Sequence, residues 1–199
     1  MSAGFTRLAV AYGLGGGVLR RKGVARRPWL ELQRLETEAT YLGHQVRALR
    51  AAGRSSVRAV EDMRPGRGFY DISRARVRCP ILERAIEIRG EGEQQRITTE
   101  ALQVSGWSGI AALWLDSGCW LGERGRIVVR DGDEAQVLTE WLVGQGIRCR
   151  ARDLSVSLEP AAMGDLCAAI RPETHRSMRH ALRPGSVHGL QLLKPPGRG

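Results

Sequence analysis

Asp116 and Ser117 end an apolar run, Gly109–Gly118, and carry the only side-chain oxygens in it. A carboxylate in that position could ligate a hard divalent cation through oxygen. His175 and His180 lie five residues apart with no acid or thiol spaced to join them in a metal site, so surface or phosphate contact is their expected role. Ser117 has no histidine beside it to act as a base. Gly13-Leu14-Gly15-Gly16-Gly17 lacks the preceding strand and the third glycine of a dinucleotide fingerprint. Cys79, Cys119, Cys149 and Cys167 form no CxxC pair, and they read as small buried hydrophobes in a reducing, intracellular compartment.

What remains is arginine. The formal net charge is +10, and among 31 basic residues only Lys22 and Lys194 are lysine. Charge of that size points to a polyanionic partner. In Ile147-Arg148-Cys149-Arg150-Ala151-Arg152 an apolar or small residue alternates with arginine, so a strand there sends Arg148, Arg150 and Arg152 to one side. Arg74, Arg76 and Arg78 share a face, as do Arg126 and Arg130. Arg20, Arg21 and Lys22 make a basic hairpin arm, and Trp29 falls on the polar strand face, where it could stack on a base.

These side chains need sheets with one face buried. The apolar run Ile110–Ser117 is hydrophobic all round and must be covered on every side. A weaker copy, Leu8–Gly17, opens the chain. Each is followed by strands and amphipathic helices, so each half reads α-β-β-α-β-β-α, and the fold class is α+β with two pseudo-symmetric halves. The expected boundaries are 1–90 for the first repeat, 91–96 for a glycine-spaced linker, 97–183 for the second repeat and 184–199 for a tail. Further expectations are a hairpin over Gly17–Gly23 and Trp29–Arg34 and a helix over Glu36–Ala52. Strands are expected over Ser55–Val60 and Gly68–Arg78 around the turn Arg64-Pro65-Gly66, then a helix over Pro80–Ile88. The second half should carry strands over Arg126–Arg130, Ile147–Arg152 and Leu154–Leu158, and helices over Asp133–Gly144 and Pro160–Ile170. Thr98 or Thr99 is the expected N-cap ahead of Glu100-Ala101-Leu102. Small residues Gly13, Gly17, Ala111 and Gly118 are the expected contact line between the two apolar helices. No apolar run is long enough for a membrane span. No acid precedes Glu31, a composition shared by a mitochondrial transit peptide and by the helix and hairpin of a first repeat.

From about residue 7 to 183 this order resembles the LAGLIDADG homing endonucleases of the single-chain, two-repeat type. The resemblance is carried by the glycine-ended helices (Gly15-Gly16-Gly17 and Ile110–Gly118), the Arg-Lys hairpin and the helix around Tyr41-Leu42. Thr98–Leu102, Gly146-Ile147-Arg148 and Ile170–Met178 add to it. It implies that the two motif helices form the seam of a monomer with an internal pseudo-twofold axis. Two four-stranded sheets would then make a saddle over duplex DNA. In the family an acid before each closing glycine holds divalent metal for strand cleavage. Here those positions are Gly16 and Ser117, and Asp116 comes one residue early, about 100° round the helix and so expected to point away. The resemblance therefore implies a cleavage-incompetent binder of DNA or structured RNA, without metal or other cofactor. Its contacts would be Arg20, Arg21, Lys22, Arg74, Arg76, Arg126, Arg130, Arg148, Arg150 and Arg152. A maturase-like factor or a ribonucleoprotein component, such as one in an organellar ribosome, fits the same reading. The alternative is a working endonuclease using magnesium on Asp116.

Overall fold

The computed structural model describes residues 3–22, 27–57, 59–63 and 72–186. The expected turn Arg64-Pro65-Gly66, the strand start at Gly68, the side chain of Lys22 and the tail beyond Ser186 lie outside the described residues. The first half runs α1 (Ala3–Leu14), β1 (Val18–Lys22), β2 (Arg27–Leu35), α2 (Ala39–Gly53), β3 (Ala59–Met63), β4 (Ile72–Arg78) and α3 (Leu82–Arg89). The second runs α4 (Thr99–Ser117), β5 (Gly118–Leu121), β6 (Arg124–Val128), α5 (Gly132–Gly144), β7 (Cys149–Arg152), β8 (Ser155–Leu158) and α6 (Pro160–Ile170), with a closing 3₁₀ turn over Arg176–Leu182. Both sheets are antiparallel and four-stranded, ordered β1-β2-β4-β3 and β5-β6-β8-β7. The α+β class and its repeated order are as expected. Among the described residues no helix is long and apolar enough to cross a membrane.

Period-two patterning sets the sheet faces. Leu19, Leu30, Leu32, Ala75 and Val77 point to the helical side of the first sheet, and Ile127, Val156 and Leu158 to that of the second. Each leucine, isoleucine or valine among them, when fully buried, contributes about 1.5–3 kcal/mol of transfer free energy. α1 and α4 pack against each other between the halves and knit the cores together. Leu14 of α1 joins the second core, while Ala101 and Ala112 of α4 join the first. α4 is capped by Thr98, whose hydroxyl accepts from the Ala101 N–H at 3.1 Å. It breaks at Gly106, whose φ of 55° is a left-handed value open to glycine.

The glycines that meet the partner helix are not the ones expected. A Cβ on Gly15 would stand 2.6 Å from the Ala112 carbonyl oxygen, and one on Gly109 would stand 2.8 Å from Leu14 Cδ1. Gly13 instead faces Gln95 and Arg89, Gly17 faces Leu30 and Leu32 of its own half, and Gly118 lies on Trp114 of its own helix. Ala111 belongs to the second core, which Leu14 of α1 also joins. The helical phase carried forward from Gly13 fails because α1 stops at Leu14, and Ala112 lies about 100° round from Ala111. Gly15→Ala is accordingly expected to prise the two helices apart at a cost of about 1–3 kcal/mol. Thermal unfolding of that variant should shift down by roughly 2–4 °C per kcal/mol, and an unchanged midpoint would contradict the packing.

Four further differences have local causes. β5, four residues with no alternating polar pattern, is a strand beyond those expected and is defined by its pairing with β6. The strand expected from Ser55 opens as a 3₁₀ turn over Arg54–Ser56, and β3 starts at Ala59. Arg130 and Arg148 each lie just outside their strands. The segment expected as a plain linker is bonded along the β1 edge: Gln95 Oε1 accepts from the Leu19 N–H at 3.0 Å and Glu91 Oε1 from the Arg21 N–H at 2.7 Å.

Candidate nucleic-acid interface and the helix-end centre

The open face of the second sheet carries its cations in register. Arg126 pairs across β6–β8 with Ser157, which pairs with Arg150 on β7, and Arg152 lies one rung on, opposite Ser155. With strands about 4.8 Å apart, two guanidinium groups flank a serine across a three-strand rung. Arg126, Arg150 and Arg152 are exposed, and among the described residues none is in an ion pair. Arg148, also exposed, joins Arg150, Arg152 and Ser157 around a groove of about 420 Å³ at the β7 edge. Arg130 keeps the open-face phase but is held by the carbonyl oxygens of Glu93 and Gln95.

The first sheet is more self-satisfied. Arg20, Arg74, Arg76 and Arg78 share the open face with Trp29, Glu31 and Gln33. Arg76 Nε donates to Glu31 at 3.1 Å, and its guanidinium covers the Trp29 ring at 4.2 Å. Trp29 is therefore buried beneath an arginine rather than presented to a base. Arg21, expected beside Arg20, takes the opposite face by strand alternation and donates to Glu83 at 2.7 Å and Glu91 at 2.8 Å. That contradicts its place in an outward basic arm.

The helix ends hold a centre that sequence reasoning half missed. Asp116 does not point away. Its carboxylate carbon is 2.7 Å from where a Gly16 Cβ would stand, and Gly16 has φ 76°. Arg34 Nη1 donates to Asp116 Oδ1 at 3.2 Å, and the Ser117 hydroxyl donates to Oδ2 at 3.2 Å. Arg34 is 2% exposed, donates also to the carbonyls of Gly15 (2.9 Å) and Gln33 (3.0 Å), and lies over the Tyr41 ring at 5.4 Å. Burial is the main cause of the raised Tyr41 phenol pKa. The sequence signal for Arg34 was its phase: it continues the core-facing series Leu30, Leu32, and a cation on that face needs a buried acid.

A cavity of about 400 Å³ opens beside these ends, lined among others by Gly16, Asp116, Ser117, Gln95, Arg89 and Glu134. Arg89 donates to the Gly13 carbonyl at 3.0 Å, and burial pushes its pKa down to about 10, with the Glu134 charge opposing. Glu134 is committed to the backbone N–H groups of Ile97 (2.8 Å) and Arg130 (3.0 Å). The residues present do not fit a hard divalent cation. Gly16 offers no ligand, and both Asp116 oxygens are engaged, one by a guanidinium where positive charge would have to enter. Among the described residues no three acids, histidines or cysteines cluster as a metal site. The thiols of Cys149 and Cys167 are pushed up to about 11 by burial, which suits packing rather than nucleophilic chemistry.

No family sequence model matches the chain, and no characterised protein matches it by sequence. Its structure is similar to solved homing endonucleases. I-WcaI bound to its DNA recognition sequence superposes with a TM-score of 0.70 at 13% identity, covering 94% of this chain and 89% of that one. I-DmoI in complex with DNA and Ca gives 0.58 at 13% identity, covering 85% and 90%. I-DmoI with DNA and Mn gives 0.58 at 14%, covering 88% and 99%. The sheets, the paired helices and their order together show that the chain has the LAGLIDADG homing-endonuclease fold in its single-chain, two-repeat form.

Proposed function

We propose that this protein is a nucleic-acid-binding member of the homing-endonuclease fold that grips its ligand with the open sheet faces and does not cut it. The observation that carries this reading is the Arg34–Asp116 ion pair at the helix ends, with Gly16 and Ser117 at the positions of the family's acids. A buried guanidinium neutralises the one carboxylate and repels the cation that phosphodiester cleavage would need there. The rung Arg126–Ser157–Arg150, whose arginines have no acid partner among the described residues, supports phosphate binding. DNA is the ligand in the I-WcaI and I-DmoI structures. Structured RNA, within an organellar ribonucleoprotein, is the ligand class the charge of +10 equally supports. The test is incubation of the purified protein with a random-sequence duplex library and magnesium or manganese. Retention of nucleic acid without any strand break is expected. Site-specific double-strand cuts that vanish in Asp116→Asn would overturn the reading in favour of an endonuclease.

A further inference from the structure

The positive charge is not confined to the sheets. On the helical side of the first half, α2 meets the closing 3₁₀ turn, and the imidazoles of His44 and His175 stack at 4.2 Å between centroids, 27° from parallel. Arg47 stands one turn along α2 from His44, with its Nη1 folded back 3.3 Å from where a Gly43 Cβ would be. Arg176 follows His175 directly and Arg179 is one turn further on. All three arginines are exposed, and among the described residues no acid pairs with them. Glu173, the nearest acid in sequence, is drawn away to Arg7 at 3.5 Å and to Ser108.

The histidines are arranged rather than incidental. His175 Nδ1 accepts the Ser177 N–H at 3.3 Å, so the neutral ring carries its proton on Nε2, its one donor. A stacked imidazole pair beside three forked cations offers aromatic edges and phosphate donors together. That combination suits a nucleic acid, which brings phosphates and stackable bases together, better than an acidic peptide, whose charge is carboxylate. The sheets present their arginines on the face opposite the one α2 covers, so one duplex lying in the saddle cannot reach both surfaces. A folded RNA, with several helices close together, can.

We propose that His44, Arg47, His175, Arg176 and Arg179 form a second phosphate-binding surface that takes the backbone of a folded RNA whose neighbouring segment lies against the sheets. This rests on the chain being a nucleic-acid binder and specifies which kind. The surface also reads pH. Burial and the nearby arginines lower the pKa of both rings, His44 facing His175 and Arg47, and His175 facing Arg47, Arg176 and Arg179; Tyr41 lies 6.4 Å from each ring. A bound phosphate favours a charged His44, whereas charging His175 would give up its bond from Ser177, so binding takes up protons at His44 and tightens as pH falls through the imidazole range.

The experiment measures binding of the full chain to bulk transfer RNA and to a short random-sequence DNA duplex across salt concentrations. Arg47→Gln/Arg176→Gln/Arg179→Gln should shrink the transfer-RNA slope of log K against log salt by about 2–3 units and leave the duplex slope unchanged. His44→Gln, which touches no cap, should reduce the gain in transfer-RNA affinity between pH 7.5 and 5.5. Equal loss on both probes, or displacement of transfer RNA by polyglutamate as readily as by more RNA, would overturn the second surface. An unchanged RNA slope would overturn it too, provided Arg126→Gln/Arg150→Gln/Arg152→Gln weakens both probes. If neither triple variant weakens either probe, it is the nucleic-acid reading itself that fails.

Discussion

Asp116→Ala is expected to cost about 3–5 kcal/mol of folding free energy, because it leaves the Arg34 guanidinium buried without its counter-charge. Arg34 is 2% exposed and its remaining acceptors are carbonyl dipoles of Gly15 and Gln33. Two dipoles do not replace a carboxylate at 3.2 Å. Removing both charges is a different experiment. Arg34→Met/Asp116→Leu fills similar volume with apolar atoms and should be near neutral or stabilising, as buried pairs replaced whole tend to be. The urea midpoint of the single variant should fall with an unchanged slope, and that of the double should return to the wild-type value or above. A single variant that unfolds like wild type would show the pair to be solvated.

Arg126→Gln/Arg150→Gln/Arg152→Gln should reduce the slope of log K against log salt on duplex DNA by roughly 2.7 units, about 0.9 for each phosphate that is no longer neutralised. Binding should weaken across many sequences, since backbone contacts position a ligand without reading bases. The melting curve should hardly move, because exposed substitutions that touch no core side chain usually stay within about 0.5 kcal/mol. Arg124→Gln is the internal control: it lies on the same face but is already paired to Glu159 at 3.2 Å. Arg21→Gln is a second control, since its guanidinium is on the helical side with Glu83 and Glu91. Arg171 and Arg183, outside the sheets, should likewise do less. An unaltered slope in the triple variant would move the binding surface off the second sheet.

Alternation made the sheet faces legible. Leu30 and Leu32 against Trp29, Glu31 and Gln33 fall as the pattern requires, and so do Arg150 and Arg152. Glycine stops and apolar periodicity marked the two central helices. Three things were not legible. A strand of four residues with no polar alternation, Gly118–Leu121, takes its identity from its neighbour β6. Whether an arginine on the open face is available depends on cross-strand partners, as Arg76 with Glu31 and Trp29 shows. In an ion pair between residues 82 positions apart, such as Arg34 with Asp116, nothing local says which acid is the partner. The phase of Arg34 did announce a buried cation, and a reading that followed the core-facing series one step past Leu32 would have found it.

The Gly16 position, with φ 76° and the Asp116 carboxylate filling the space of its absent Cβ, works as a ratchet. Gly16→Asp alone would force a side chain into a left-handed backbone and set a second acid on top of the first. Moving Asp116 aside first strands Arg34, and removing Arg34 first strands Asp116. Gly16, Arg34 and Asp116 therefore tolerate change together better than one at a time.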